Sequence, residues 1–204
     1  MEKHASTHPA RSPEDFLPGK YPILEFPEDD WKAFRENCLA LNLPDPNPKR
    51  QVFQAIYSHL CGVNQWLNLT RLTTPADYLK FSLLDSLTLL PVLESLCESQ
   101  SVVMDLGSGG GYPGLPLMAC MTTQEFVLID ARQKKVDFLN AAITVIPREG
   151  KARAYSFRGK DVRLSHPDLR HRAEVVTARA VGKGVELLPD AAELLAQGGV
   201  FVLM

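Results

Sequence analysis

Cysteine is scarce in this 204-residue chain, and what there is follows no pattern. The four thiols (Cys38, Cys61, Cys97 and Cys120) are widely and irregularly spaced, with no Cys-x-x-Cys pair. That argues for reduced, buried side chains rather than a metal site or a disulfide frame. No window approaches the ~18 unbroken apolar residues of a membrane span. The N-terminal MEKHASTHPARSPEDF lacks an apolar centre and carries acids, so a cytoplasmic protein is expected rather than an exported one. A large excess of one charge is missing too: 22 Lys and Arg stand against 24 Asp and Glu, a net charge of −2. A net charge of that sign and size gives the whole molecule no pull toward an anionic partner. What is present is 45% apolar and 23% charged residues, the balance of a globular protein with a sizeable core. The length suits one domain with an appendage.

The positive charge is nonetheless concentrated. Residues 148–183 hold ten Lys and Arg against four acids, and the last 21 residues hold three acids and no base. Such a block fits a face for an anionic ligand or an ordinary solvated surface. Residues 1–22 mix Pro, Ser, His and charges without a period and read as a disordered or loosely attached tail. Residues 23–98 read as helical. Trp31, Phe34, Cys38 and Leu41 make one apolar stripe, and Val52, Ile56, Leu60, Val63 and Leu67 a second, opened by Asn47-Pro48. Leu83, Leu84 and Leu87 belong to a third, opened by Thr74-Pro75 with Asp77 in its first turn.

Over residues 99–204 the texture changes. SVVMDLG, EFVLID, a weaker segment at 152–155, EVVTAR and GGVFVLM read as strands. Helices are expected from Pro113, over 134–146, and in VELLPDAAELLA with Pro189 in a first turn or a kink. Apolar strands alternating with helices predict a doubly wound, Rossmann-like α/β sheet behind an N-terminal helical cap.

VVMDLGSGGGYPGLPL, residues 102–117, places Gly107, Gly109, Gly110 and Gly111 in the first strand-to-helix turn, where such a sheet approaches its ligand. Glycine there permits positive φ and leaves no Cβ between backbone and ligand. Gly109-x-Gly111-x-x-Gly114 satisfies the dinucleotide fingerprint. Asp105, however, would set a like charge against a pyrophosphate. S-adenosylmethionine carries an ammonium and a sulfonium and no phosphate, so the methyl donor is the better match, with a dinucleotide as the alternative. Asp130 ends EFVLID, 23 residues after Gly107. It suits the two ribose hydroxyls of either ligand and equally a plain helix cap.

The chain resembles one family in particular, the bacterial small-subunit ribosomal RNA guanine-N7 methyltransferases, also called glucose-inhibited division protein B. The likeness covers most of residues 50–204. It rests on NLTRLTTPADYLKFSLLDSL (68–87), DLGSGGGYPGLPL (105–117), LIDARQKKVDFL (128–139), Phe157-Arg158 and TARA (177–180). The resemblance implies a class I methyltransferase fold, S-adenosylmethionine as cofactor, and methylation of N7 of a guanosine in 16S ribosomal RNA. The partner it implies is small-subunit RNA within the ribosomal particle, met by a monomer. It also implies roles residue by residue. Gly107, Gly109 and Tyr112 would line the donor loop, Tyr112 standing where the family has a large apolar residue. Asp130, Ala131 and Arg132 would surround the ribose. Gly159 and Lys160 would present backbone to the adenine, and Arg179 would touch the cofactor or the RNA. Departures are Ser82 where the family commonly has His, Lys160 where an acid is usual, and an end at FVLM where the family continues into further strands, so terminal strands are expected to be missing.

Guanine N7 has a lone pair and no proton to lose, so the implied reaction needs no general base. No catalytic side chain and no metal are expected, and positioning would supply the acceleration. Tyr155, Phe157 and the N-terminal helices are candidates for base stacking. A methyltransferase with a small-molecule or protein substrate and a non-catalytic binding module are the other readings.

Overall fold

The structure, a computed structural model, describes residues 12–179 and 184–204. The strands are β1 Val102–Leu106, β2 Glu125–Asp130, β3 Ala152–Ser156, β4 Ala173–Ala178 and β5 Leu195–Leu203, with the most continuous apolar runs in β1, β2 and β4. They make one sheet in the order β3-β2-β1-β4-β5, every pair parallel. The chain winds outward from β1 to β3 and then returns to the other side of β1 for β4 and β5. This is a Rossmann-like arrangement whose switch point lies between β1 and β4.

Strand runs that are apolar at every position need cover on both faces. Val103, Phe126, Leu128 and Val175 face one layer. That layer is built by α1 (Glu28–Ala40), α2 (Arg50–Asn64), a helical run over 75–87, α5 (Leu90–Leu96), α6 (Gly114–Cys120) and α7 (Gln133–Ile143). The run over 75–87 consists of α3 (Pro75–Tyr78), a π-helical stretch (Leu79–Leu84) and α4 (Asp85–Leu87). Met104, Val127, Ile129 and Val176 face the opposite layer, which contains α8 (Val162–Ser165) and α9 (Leu188–Leu194). The cap and the first face of the sheet share one continuous cluster running from Phe16 to Val175, so cap and sheet are fused by the hydrophobic effect rather than linked as beads. At about 1.5–3 kcal/mol for each large apolar side chain buried, that shared cluster resists separation of the two parts.

The helix signals act as their chemistry requires. Thr74 caps α3, its Oγ1 accepting from the Asp77 amide at 3.2 Å, and Pro189 sits in the first turn of α9. Of the first stripe, Trp31, Phe34 and Cys38 are buried, but Leu41 follows the helix end and is half exposed. All four cysteines are unpaired; Cys38 is buried and the other three are intermediate.

The tail differs from the expectation. Residues 1–11 lie outside the described residues, but 12–22 are packed. Phe16 is buried edge-on against Trp66 (5.0 Å, 74°), and Tyr21 donates to the Asp15 carbonyl at 2.8 Å. A Cβ on Gly62 would lie 2.2 Å from the Tyr21 ring, so the glycine in the last turn of α2 makes the notch that receives it. Polar composition signalled disorder here, and two aromatic anchors overrule it.

Candidate ligand pocket at the switch point

The turn after β1 is fastened to the end of β2. Gly107 and Ser108 donate their amides to the Ile129 carbonyl at 2.8 and 2.9 Å, and the Ile129 amide donates to Ser108 Oγ at 3.2 Å. Gly107, Gly109 and Gly111 have φ of 78°, 55° and 93°, a region costly for any residue with a Cβ. Beyond this turn lies a cavity of about 470 Å³ lined by Leu69, Thr70, Gly107, Gly109, Asp130 and Arg179, among others. A second hollow of about 230 Å³ shares Gly107, Asp130 and Ala131 with it and is otherwise mainly apolar, with Leu106, Ile129, Phe157 and Leu187 in its lining. The first lies within the usual range of small-molecule sites, about 300–1,000 Å³.

Asp130 stands where the two meet. One carboxylate oxygen accepts from the Gly109 amide (3.0 Å) and the other from the Arg132 amide (2.9 Å), and Lys135 Nζ lies 3.9 Å away. It therefore pins the glycine turn and opens α7 at once. Each oxygen keeps acceptor capacity toward the cavity.

Gly107, Gly109, Tyr112, Asp130, Ala131, Arg132, Gly159 and Arg179 all line one hollow or the other. Two predicted residues do not. Lys160 is exposed, and its amide donates to Asp190 Oδ1 at 3.0 Å. Asp105 is buried and turned into the protein, accepting from the Gly114 amide (3.3 Å) and from Thr177 Oγ1 (3.0 Å). Burial pushes its carboxyl up to about 6, with those hydrogen bonds pulling the other way. The reason is strand parity: Asp105 falls on the face of β1 against which α6 packs, with its Gly114 so close that a Cβ would lie 2.9 Å from Asp105 Oδ2. The charge argument from Asp105 against a pyrophosphate therefore does not hold. The cavity lining carries Arg132, Lys135 and Arg179 against Asp130.

Several lining residues escaped the sequence reading. Leu69 and Thr70 come from the cap, held there because Asn64 Oδ1 accepts both their amides at 2.8 and 3.0 Å. The Leu69 carbonyl lies 3.4 Å from where a Gly110 Cβ would be, so cap and glycine turn touch at the pocket wall. The NLTRLTT segment was the available signal. Asp190 and Leu187, from beyond β4, line the second hollow. Arg179 spans from the end of β4 to the cap, its Nη1 3.0 Å from both the Phe81 carbonyl and Asp85 Oδ2. Its Cζ lies 5.3 Å from the Tyr112 ring centroid.

The basic block resolves into two populations. Arg148 is spent on backbone carbonyls, including those of Gln124 and Gly150, while Arg170 and Arg172 pair with Glu193 and Glu125. Lys151, Arg153, Arg158, Lys160 and Arg163 are exposed. Lys183 and the Ala180 of TARA lie outside the described residues. Ser82 is buried in the π-helical stretch.

Comparison with known proteins places this geometry. Residues 49–204 match the family described as GidB, rRNA small subunit methyltransferase G. The chain belongs to that family. It is 36% identical over 147 residues to the ribosomal RNA small subunit methyltransferase G of Sorangium cellulosum, an alignment covering 72% of this chain and 60% of the relative. The protein of the same name from Synechococcus elongatus is 35% identical over 167 residues, covering 78% and 64%. That from Anaeromyxobacter dehalogenans is 31% identical over 173 residues, covering 85% and 77%. The chain thus spans somewhat less than two thirds of the length of the first two relatives.

Proposed function

We propose that this chain is an S-adenosylmethionine-dependent methyltransferase acting on N7 of a guanosine in small-subunit (16S) ribosomal RNA. The observation that carries the reading is the paired cavity joined at Asp130, at the switch point of a chain that belongs to the GidB family. The residues fit the donor. The apolar hollow bounded by Phe157 and Gly159 suits a flat adenine, Asp130 suits ribose hydroxyls, and Arg132, Lys135 and Arg179 suit an amino-acid carboxylate. The glycine turn keeps Cβ atoms out of the way. When bound, the donor supplies a methyl on a sulfonium, open to displacement by a lone pair.

The protein's part is then positional. Asp130 and the glycine turn fix the donor, and cap residues Leu69 and Thr70 close one wall of the cavity. Arg179 ties the cap to the end of β4. The acceptor nitrogen has no proton, so nothing in the site must remove one, and orientation supplies the acceleration. The exposed cations at 151–163 supply phosphate contacts. The RNA is met within the ribosomal particle, by a monomer acting in the cytoplasm. No helix among the described residues is long and apolar enough to cross a membrane.

The test is transfer of labelled methyl from S-adenosylmethionine to small ribosomal subunits lacking their N7 methylation, the label mapped by cleavage at 7-methylguanosine. Label at one guanine is expected. Donor binding with no transfer to RNA would overturn the reading in favour of a non-catalytic module or another acceptor.

A further inference from the structure

RNA recognition needs exposed rings for bases as well as cations for phosphates. The aromatics of the basic block do not offer a free ring: Phe157 is buried, and Tyr155 is partly buried against His166, ring centroids 4.7 Å apart. Phe81 does. It is 49% exposed, although Leu79 and Leu83 beside it are 2% and 0% exposed. It sits in the π-helical stretch 79–84, and such departures from α-geometry recur at functional sites.

Two contacts give this ring a setting. Its own carbonyl accepts from Arg179 Nη1 at 3.0 Å, and Arg179 lines the ligand cavity, so the backbone that carries the ring is one side chain removed from the pocket. Lys80 Nζ lies 4.9 Å from the ring centroid. A half-exposed ring that already carries an ammonium over its face matches a nucleobase joined to a phosphate: the base takes the ammonium's place on the ring and the ammonium meets the backbone charge. Resting on the activity proposed above, we propose that Phe81 is a stacking platform for a nucleobase of the RNA substrate, with Lys80 as the accompanying phosphate contact.

Initial rates of methyl transfer to under-methylated small subunits, at saturating S-adenosylmethionine, test this in the unaltered chain and in Phe81→Ala, Phe81→Leu, Phe81→Trp and Lys80→Ala. Phe81→Ala is expected to raise KM for the subunits about tenfold or more, the size of one lost base stack. Phe81→Trp should restore it, and Phe81→Leu should not. Lys80→Ala should reduce the slope of log KM against log salt by about one. Binding of S-adenosylhomocysteine, read by calorimetry, should be the same in all. Leu performing as well as Phe would mean an apolar contact with a ribosomal protein and would overturn the platform, as would loss of S-adenosylhomocysteine binding in Phe81→Ala. Equilibrium binding of the RNA keeps the two ideas apart. No transfer by the unaltered chain sinks the activity, whereas equal RNA affinity of the unaltered chain and Phe81→Ala sinks the platform.

Discussion

Two buried groups act on stability in opposite directions over nearly the same pH range. Burial raises the Asp105 carboxyl from an ordinary 3.8 to about 6, so the fold prefers its protonated form. The stability it contributes is complete below pH 3.8 and is lost as pH rises through 6. His59, on α2, is 1% exposed, and neither ring nitrogen has a hydrogen-bond partner among the described residues. Burial lowers it from 6.5 to about 4, so the fold prefers the neutral ring. Its contribution is complete above pH 6.5 and is lost as pH falls through 4. At about 1.36 kcal/mol for each tenfold change in proton activity, each group moves stability by roughly 3 kcal/mol across its window.

In the unaltered chain these slopes nearly cancel between pH 4 and 6.5. Asp105→Asn removes the falling one, and its stability should then climb by roughly 3 kcal/mol over that interval, relative to the unaltered chain. His59→Phe keeps a ring stacked on Phe138, whose centroid lies 5.0 Å away at 12°. It should fall by a similar amount over the same interval. Urea unfolding followed by tryptophan fluorescence, at steps between pH 4 and 7, measures both. Subtracting the unaltered chain's profile cancels the surface carboxylates Glu28, Asp45 and the half-buried Glu193, which are lowered by their arginine partners in every variant. If Asp105→Asn tracks the unaltered chain in parallel, Asp105 does not titrate in this window and the argument from its burial is wrong.

Asp130→Ala removes the acceptor for the Gly109 and Arg132 amides as well as for a ribose. Binding of S-adenosylhomocysteine, followed by calorimetry, should weaken about 10- to 100-fold, as expected for charge-assisted hydrogen bonds of about 1.5–3 kcal/mol; unchanged affinity would remove Asp130 from the site. Gly114→Ala places a Cβ 2.4 Å from Leu128 Cδ2 and 2.9 Å from Asp105 Oδ2. Overpacking of about 1–3 kcal/mol should lower Tm by several degrees in a thermal melt, and a Tm within about 1 °C of the original would contradict the tight contact between α6 and β1.

The inner strands were legible because they are buried on both faces and therefore apolar almost without interruption, as in VVM and FVLI, whereas the edge strand β3, ARAYS, is only partly buried and gave the weaker signal. The site was legible where the chain must bend: glycines at positive φ and an acid at a strand end announce themselves whatever packs around them. Asp105 was misread because a side chain's direction on a strand is settled by parity and by what packs on each face. The partners that fix it, Gly114 and Thr177, are 9 and 72 residues away. Leu69 and Thr70 were missed for a related reason. Nothing local marks them as pocket wall; Asn64, at the end of α2, turns them toward the glycine loop. Residues 12–22 show the converse error, with a polar composition concealing Phe16 and Tyr21, which fill notches made by Trp66 and Gly62.

The cap and the sheet divide the work, and Arg179 is where the division meets. Glycine turn, Asp130 and the apolar hollow all come from the sheet and its connections, and in the proposed reading they hold the donor. Phe81, Lys80 and Asp85 come from the cap. Arg179 Nη1 donates both to a cap carbonyl and to a cap carboxylate, while the guanidinium lies over Tyr112 of the glycine turn. A displacement of the π-helical stretch cannot then leave the donor loop untouched, because both rest on the same side chain. In the proposed reaction, which needs no proton transfer, relative placement of donor and acceptor is what the protein would have to supply. An arginine in contact with both the glycine turn and the cap is placed to serve that requirement in the proposed reading.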